Sequence, residues 1–531
     1  MNHVWLLYFF PVEAALTFGV LAVLSVDLLL RRRGVSSERR AWVSTGIGIM
    51  ALGAGGVLRI LAQRSLTTLF TNNAPIRMPG VDGLMFVADD FSIRGTFIIL
   101  GLSGLSLILA RGGVRLRNTA EYVALVLSAS AGFTLMTAAN HLLAIFLSIE
   151  LASLSLYILT AFNKRNPDSA EAGLKYFFYG SVAAAFLLFG FSLLHGSTGA
   201  MTLPAIADAL AKGAFSHAFL LLPIALVMIF TGFAYKTAAA PFHLWAPDVY
   251  QGAPPACAAL VASASKVAGF VLVARFLAWM PNWFPDSGKL SNHPHSELFF
   301  CWFWVMVVFI AASLLLGNLV ALVQKNLRRL LAYSAIAHAG VLLLAVVSSG
   351  AADAGNDPVY VASAVGILRG GDVLLFYLIG YGLATAGAFG VVAVLDNNGG
   401  CREITDLAGL RQRSPLLAAC LGVFVLSLAG IPPLAGFLSK FVVFLQAAKA
   451  ALQNPEFRPL LWLVILAVVI SAVALYYYLQ ILKAAFVTPA PTERDSPGIK
   501  KIQTPIPVAL ALVLTAIALI VLGIAPGILL P

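Results

Sequence analysis

The sequence predicts an all-α, polytopic membrane protein with about fourteen transmembrane helices. Of its 531 residues, 60% are hydrophobic and only 11% are charged, whereas a soluble domain carries about 25% charged residues. Apolar runs of about 20 residues recur along the whole chain, and this is the length a helix needs to cross the hydrocarbon core. Because the bilayer centre offers the backbone no water, each run must satisfy its own hydrogen bonds as a helix.

The predicted helices follow these apolar runs in order. The twelfth run is too long for one crossing, and Pro432 and Pro433 must interrupt it because proline lacks the N–H that a helix interior requires. Two half-helices and an added re-entrant turn are both compatible with this run. The predicted spans are 4–30, 41–61, 86–110, 119–139, 141–162, 170–195, 217–240, 256–279, 298–323, 327–349, 372–395, 414–450 (interrupted), 459–487 and 504–529.

Positive charge is divided unevenly between alternate loops. Twenty lysines and arginines lie in one set of loops and eight in the opposite set. Cytoplasmic loops of membrane proteins carry the excess of lysine and arginine, so the richer set is predicted to be cytoplasmic and both termini to lie on the outer side. The net charge of +11 therefore indicates membrane topology, and no nucleic-acid partner is expected.

Ionisable residues stand inside the apolar runs, where each costs about 2.5–3.5 kcal/mol on insertion scales. Burial lowers the pKa of a lysine and a nearby carboxylate raises it. A carboxylate that approaches and withdraws can therefore make a buried lysine bind and release a proton. The pattern favours a proton relay. Structural ion pairs, or side chains that extend to the membrane–water interface, are the alternatives for any one of these ionisable residues. The candidate relay residues are Glu150, Lys175, Lys236, Lys266, His338 and Lys440.

Two of these lysines stand close to prolines. Pro241 follows Lys236 by five residues, and Lys440 follows Pro433 by seven. Proline-interrupted spans at corresponding places in two halves of a chain indicate a transport site, since broken backbone exposes amides and carbonyls that attract water and ions. A simple proline kink is the alternative at either place.

No redox, metal or nucleotide chemistry is visible in the chain. Its four cysteines are far apart, with no CxxC pair or Cys/His cluster for zinc or an iron–sulfur centre. No GxxxxGK[ST] motif and no GxGxxG after a strand is present. We therefore predict no metal ligand and no cofactor-binding residue.

Five segments between about 120 and 450 form a recognisable set. They are AGLKYFFYGSVAAAFLLFGFSLLHGSTG, KTAAAPFHLWAPDVYQGAPP, SASKVAGF, GNLVALVQKNLRRLLAYSAIAHAG and SLAGIPPLAGFLSKF. These segments resemble the N subunits of proton-translocating NADH-quinone oxidoreductase (respiratory complex I), which belong to the antiporter-like subunits. The PFHLWAPDVYQGAP stretch is the most specific part of the resemblance.

The resemblance implies two inverted repeats of five helices, with the seventh and twelfth helices broken. It implies helices 1–3 over 1–118, a first repeat over 119–280, a second over 298–487, and helix 14 over 504–531. It matches Glu150 and Lys236 to a glutamate–lysine pair, Lys266 to a central lysine and Lys440 to a terminal lysine. Lys175 matches a further family lysine, and His338 an often polar position.

The implied function is proton translocation driven by quinone reduction elsewhere in a complex of a bacterial inner membrane. NADH, FMN, iron–sulfur clusters and quinone would belong to partner subunits, and the partners of this chain would be other antiporter-like and small membrane subunits and the lipid bilayer. Two alternatives stay open: a subunit of a multisubunit cation/proton antiporter, and a structural subunit that does not pump.

Overall fold

A computed structural model describes most of the chain. The described residues are 10–69, 85–113, 118–212, 221–279, 296–353, 361–363, 366–368, 370–453, 455–489 and 501–528. The helices of the first half are α1 Pro11–Arg32, α2 Ser37–Leu69, α3 Asp90–Leu109, α4 Thr119–Ala138, α5 Leu142–Thr160, α6 Pro167–Thr198, α7 Leu203–Ala211, α8 Leu221–Thr237, α9 Trp245–Gly252, α10 Pro255–Ala262 and α11 Ala264–Ala278.

The second half is also helical apart from one small ribbon. Strands β1 Val361–Ser363 and β2 Gly366–Leu368 pair antiparallel, with Ala362 opposite Ile367. The helices are α12 Ser296–Leu322, α13 Leu327–Asp353, α14 Gly370–Asn397, α15 Leu410–Arg413, α16 Pro415–Ala429, α17 Ala435–Gln453, α18 Pro459–Phe486 and α19 Ile506–Ile524. Short 3-10 turns cover Ile404–Leu407, Pro455–Phe457 and Pro526–Ile528.

The all-α membrane fold predicted from hydropathy is confirmed. In the described part of the chain, 13 helical stretches are long and apolar enough to cross a membrane. Helix α8, described over 17 residues, is a shorter apolar helix at the place of the seventh span. Together these segments account for the fourteen predicted spans. The division into two inverted repeats stays a prediction.

The eighth span differs from the continuous helix that we expected. It consists of α10 and α11, which meet at Ser263 (φ −114°, ψ −83°). The Ser263 hydroxyl donates to the Ala259 carbonyl at 2.6 Å, and serine hydroxyls that bond back to this carbonyl bend helices. The bend reorients α11, which carries Lys266.

Helix α6 illustrates how local sequence sets the ends of a span. The Asn166 side chain accepts from the Asp168 N–H, Pro167 occupies the first turn, and Gly199 closes the helix with φ +67°. Asparagine caps, proline at the first position and glycine after the last turn each supply the backbone geometry that a helix end needs.

Three spans form the centre of the protein. Nearly all residues in the apolar part of these spans are buried inside the protein: 100% for Pro255–Ala278, 94% for Leu327–Ser349 and 89% for Gly371–Asn397. For Pro11–Arg32 the buried share is 28%. Ionisable side chains on the central spans therefore face other helices and not lipid, which is where such groups are tolerated.

Candidate functional site

The seventh span is interrupted between α8 and α9. Pro241 lies in the gap and cannot donate a helix hydrogen bond. The Ala240 N–H donates instead to the Ser313 hydroxyl at 2.9 Å, and the Trp245 indole N–H to the Tyr235 carbonyl at 3.0 Å. Side chains thus replace the helix bonds lost at the break, in agreement with the predicted interruption.

The twelfth span is interrupted between α16 and α17. Helix α16 ends at Ala429, Gly430 follows with φ +85°, and Pro432 and Pro433 precede α17. An added Cβ on Gly436 would lie 1.8 Å from the Ser427 carbonyl oxygen. The two half-helices therefore approach each other as closely as backbone allows, and the predicted break at the proline pair is present.

Lys236 is the next-to-last residue of α8 and is 5% exposed. Its ammonium donates to the Ser153 hydroxyl at 3.2 Å and lies 5.8 Å from the centre of the Phe133 ring. Glu150, three residues before Ser153 on α5, is the acid whose charge acts on Lys236. The two described residues form no direct ion pair, so Glu150 is a neighbouring charge and Ser153 the contact.

Lys266 lies on α11 and is 2% exposed. Its ammonium donates to the Ala335 carbonyl of α13 and lies 5.6 Å from the centre of the Tyr381 ring. The Lys236 side chain packs beside Gly269, three residues further along α11, with its Cγ 3.5 Å from an added Cβ there. Lys236 therefore packs against α11 about one turn away from Lys266.

His338 continues this arrangement on α13 and is 6% exposed. Its Nδ1 lies 2.7 Å from the Tyr377 hydroxyl and its Nε2 lies 3.3 Å from the Tyr478 hydroxyl. Its ring centre is 5.1 Å from that of Tyr381, the same ring that Lys266 faces. An imidazole between two hydroxyls can accept a proton on one nitrogen and give it up from the other.

Lys440 lies on α17 at the break of the twelfth span and is 9% exposed. Its ammonium donates to the carbonyls of Leu428 at 2.9 Å and Ala429 at 3.2 Å. A cavity of about 10 Å³, room for about one water, joins this break to the histidine. It is lined by His338, Tyr377, Tyr381, Ser427, Leu428 and Ser439, among others. We call Lys236, Lys266, His338 and Lys440 the lysine–histidine row.

Lys175 lies apart from this row. Its ammonium pairs with Glu171 at 2.7 Å and with Asp248 of α9 at 2.9 Å, and its side chain is 40% exposed. Asp248 also binds Arg329 of α13 at 2.6 Å. Lys175 thus belongs to an ion-pair cluster that joins α6, α9 and α13, and its part in a relay stays a prediction.

A second ion pair lies outside the row, at the start of α3. Arg275 of α11 binds Asp89 at 2.7 Å and donates to the Thr137 carbonyl at 2.9 Å. Burial raises the pKa of Asp89, but the Arg275 charge and the bonds from Arg275 and Ser92 oppose this and leave the pKa below its usual value. Asp89 also caps α3.

Sequence reasoning missed the neutral members of the site. Ser153, Tyr377, Tyr381 and Tyr478 complete the contacts of Lys236, Lys266 and His338, yet tyrosine and serine are common in apolar runs. Their only sequence signal is a polar group inside a predicted span. As for metals, the described residues contain no group of three or more His, Cys, Asp or Glu able to hold an ion.

Residues 139–473 match the family model described as NADH:quinone oxidoreductase/Mrp antiporter, TM. The chain is 42% identical over 516 residues to NADH-quinone oxidoreductase subunit N 2 of Acidobacterium capsulatum, covering 94% of each chain. The chain belongs to this family. It is also similar to a chain of respiratory complex I from Thermus thermophilus, with 30% identity, a TM-score of 0.73 and 98% of each chain covered.

The fold is shared more widely within this antiporter-like family. A chain of the Mrp complex from Dietzia sp. has a TM-score of 0.74 at 21% identity, with 97% of this chain and 95% of that chain covered; at this identity the likeness concerns the fold alone. The segment that matches the family model contains all six candidate relay residues and both interrupted spans.

Proposed function

We propose that this chain is the N-type, proton-translocating membrane subunit of an NADH-quinone oxidoreductase. One observation carries the proposal: four buried basic groups, the lysine–histidine row, extend from one interrupted span to the other. The printed names of the relatives, subunit N of NADH-quinone oxidoreductases from bacteria, support the assignment to the complex.

Glu150 controls the first step of the proposed path. When the Glu150 carboxylate approaches Lys236, it stabilises the charged ammonium. When the carboxylate withdraws, Lys236 gives its proton to Lys266. Lys266 lies three residues before Gly269, the residue of α11 beside which the Lys236 side chain packs. At an effective dielectric of about 20, two unit charges about 4 Å apart interact by about 4 kcal/mol. Moving one charge against 100 mV requires about 2.3 kcal/mol. The change in charge interaction between Glu150 and Lys236 is therefore large enough to drive a proton across the membrane.

The later steps pass through His338. Lys266 and His338 both lie beside the Tyr381 ring, and the one-water cavity extends from His338 to Leu428, one of the two residues whose carbonyls bind Lys440. Lys440 then releases the proton to the outer side. Quinone reduction in partner subunits, where NADH, FMN and iron–sulfur clusters are bound, drives the movement of Glu150 towards and away from Lys236.

The proposed setting is a bacterial inner membrane, with both termini in the periplasm and other membrane subunits of the complex as neighbours. The lysine and arginine bias of alternate loops supports this orientation. It places the Lys175–Asp248 cluster at the cytoplasmic end and Asp89 at the outer end.

Substitution Lys236→Ala in the assembled complex tests the proposal. Proton uptake by inverted vesicles should fall several-fold relative to NADH oxidation, because the row loses its first basic group. Lys164→Ala, at an exposed loop position, is the matched control and should pump normally. Intact pumping in Lys236→Ala would overturn the relay and favour a structural subunit that does not pump.

A subunit of a multisubunit cation/proton antiporter is the second candidate, supported by the shared family model and the likeness to the Mrp complex chain. Gentle solubilisation and purification of the chain with its partners distinguishes the two. Copurification with NADH-quinone activity supports the first proposal. A redox-free assembly whose transport is stimulated by sodium supports the second.

A further inference from the structure

The end of α16 leaves two carbonyls for a cation. The last four carbonyls of a helix have no partner within it. Those of Leu426 and Ser427 accept backbone N–H groups from Gly430 and Ile431. Those of Leu428 and Ala429 accept the ammonium of Lys440. The end of this half-helix is therefore completed by a positive charge on the neighbouring half-helix.

The charge of Lys440 is balanced by backbone and not by an acid. Within the described residues, no carboxylate pairs with it or acts on it. The C-terminus of a helix carries a partial negative charge, equivalent to about half an electron. Interrupted spans of transporters use such carbonyls to coordinate sodium or protons, so the ammonium occupies the position that a bound alkali cation would take.

The other lysines of the row have different surroundings. Lys236 donates to a hydroxyl and has Glu150 beside it. Lys266 donates to the Ala335 carbonyl, which lies inside continuous α13. Only Lys440, among the three, binds the free carbonyls of a half-helix. An added Cβ on Gly430 would lie 3.4 Å from its Nζ, so the glycine leaves just enough room for the ammonium.

We propose that Lys440 is a tethered cation which fills an alkali-cation site at the end of α16 and thereby makes this chain select protons over sodium. The carbonyls of Leu428 and Ala429 supply two oxygen ligands. Ser427 and Ser439 line the cavity beside Leu428; the Ser427 hydroxyl accepts from the Gly436 N–H and the Ser439 hydroxyl donates to the Ala435 carbonyl, so each keeps a lone pair for a cation or its water. Loss of the side chain leaves these oxygens and the helix terminus without a positive charge. Sodium then takes the vacated position.

The test measures binding of ²²Na⁺ to the purified, assembled complex in the absence of turnover. Lys440→Ala should bind several-fold more ²²Na⁺ than the wild type at equal concentration. Lys440→Met removes the charge but fills the space with an apolar chain, and should bind no more than the wild type. Lys266→Ala is the matched control, because it removes a buried lysine from a carbonyl that is already paired, and it should gain nothing.

Equal ²²Na⁺ binding by assembled Lys440→Ala and wild-type complexes would overturn the proposal, as would an equal gain in Lys266→Ala. If Lys440→Ala does not assemble, Lys440→Ser replaces it under the same criteria. The inference rests on the proposed function for its physiological meaning. The proposed function and this inference can fail independently. Intact pumping in Lys236→Ala would refute the proton relay, whereas sodium binding at the interrupted twelfth span is measured without pumping.

Discussion

The His338 imidazole and the Tyr377 phenol are joined by a 2.7 Å hydrogen bond at the buried centre of the protein. The Tyr478 hydroxyl lies on the other ring nitrogen at 3.3 Å. A neutral imidazole donates from one nitrogen and accepts on the other. Because a phenol hydroxyl can donate or accept, Tyr377 and Tyr478 can serve either tautomer of His338, the one histidine in the lysine–histidine row.

Substitution Tyr377→Phe should impair proton translocation more than electron transfer. It leaves a buried ring nitrogen of His338 without its nearer partner, which costs about 1–3 kcal/mol, and the imidazole is free to turn. We expect the proton yield per NADH oxidised to fall several-fold in inverted vesicles. Tyr122→Phe, which removes another fully buried phenol hydroxyl, is the control; equal losses in both would mean a packing effect only.

Substitution Glu150→Gln should slow pumping by about tenfold, which corresponds to about 1.4 kcal/mol. The amide keeps the shape of the side chain but removes the charge that acts on Lys236, so Lys236 is no longer driven through a cycle. Glu121→Gln, at an exposed position in the first turn of α4, should behave as wild type. Normal proton uptake in Glu150→Gln would remove Glu150 from the mechanism.

Substitution Asp89→Asn should lower the stability of the complex by about 1–2 kcal/mol at pH 7. Breaking a buried ion pair costs about 3–5 kcal/mol, but Asp89 is 42% exposed and Arg275 keeps its bond to Thr137. The pKa of Asp89 in the folded protein lies below its usual value, which is near 4 in an unfolded chain. The ion pair therefore contributes its full stability above the unfolded-state pKa. This stability is lost only as the pH falls through the lower, folded-state pKa.

The wild-type minus Asp89→Asn difference in melting temperature should therefore stay constant from pH 8 to pH 5. Thermal unfolding of the purified complex, followed by tryptophan fluorescence at several pH values, measures it. A difference that fades within this interval would contradict the depressed pKa.

Substitution Gly430→Ala should reduce pumping through Lys440. The residue has φ +85°, and its Cβ would lie 3.2 Å from Lys440 Cδ and 3.4 Å from Nζ, so the Lys440 side chain has to shift by a few tenths of an ångström and its bonds to the carbonyls of α16 are weakened. The left-handed backbone itself costs about 1–2 kcal/mol. Gly34→Ala is the control: it introduces the same backbone strain (φ +70°), but no atom lies within 4 Å of the added Cβ. A proton yield lowered equally by both would assign the effect to strain alone.

Local sequence was sufficient for the spans and their interruptions. Hydropathy depends only on the residues of a run, so α16, α17, α18 and α19 begin and end within a few residues of the predicted limits. The break at Pro432–Pro433 follows from the length of the run and the missing N–H of proline. At Pro241 the proline left a simple kink open, and the break was what the family resemblance implied. The bend at Ser263 escaped prediction, because a serine hydroxyl can equally bond elsewhere.

The sequence by itself determined that this protein is a helical membrane protein, that a few ionisable residues lie inside its apolar runs, and which two spans contain interrupting prolines. The tertiary structure decided which groups meet. His338 and Tyr478 are 140 residues apart, and Lys175 and Asp248 are 73 apart, so their contacts depend on how helices pack and rotate. Helix packing is a property of the whole chain, whereas hydropathy and proline chemistry act within a single turn or span.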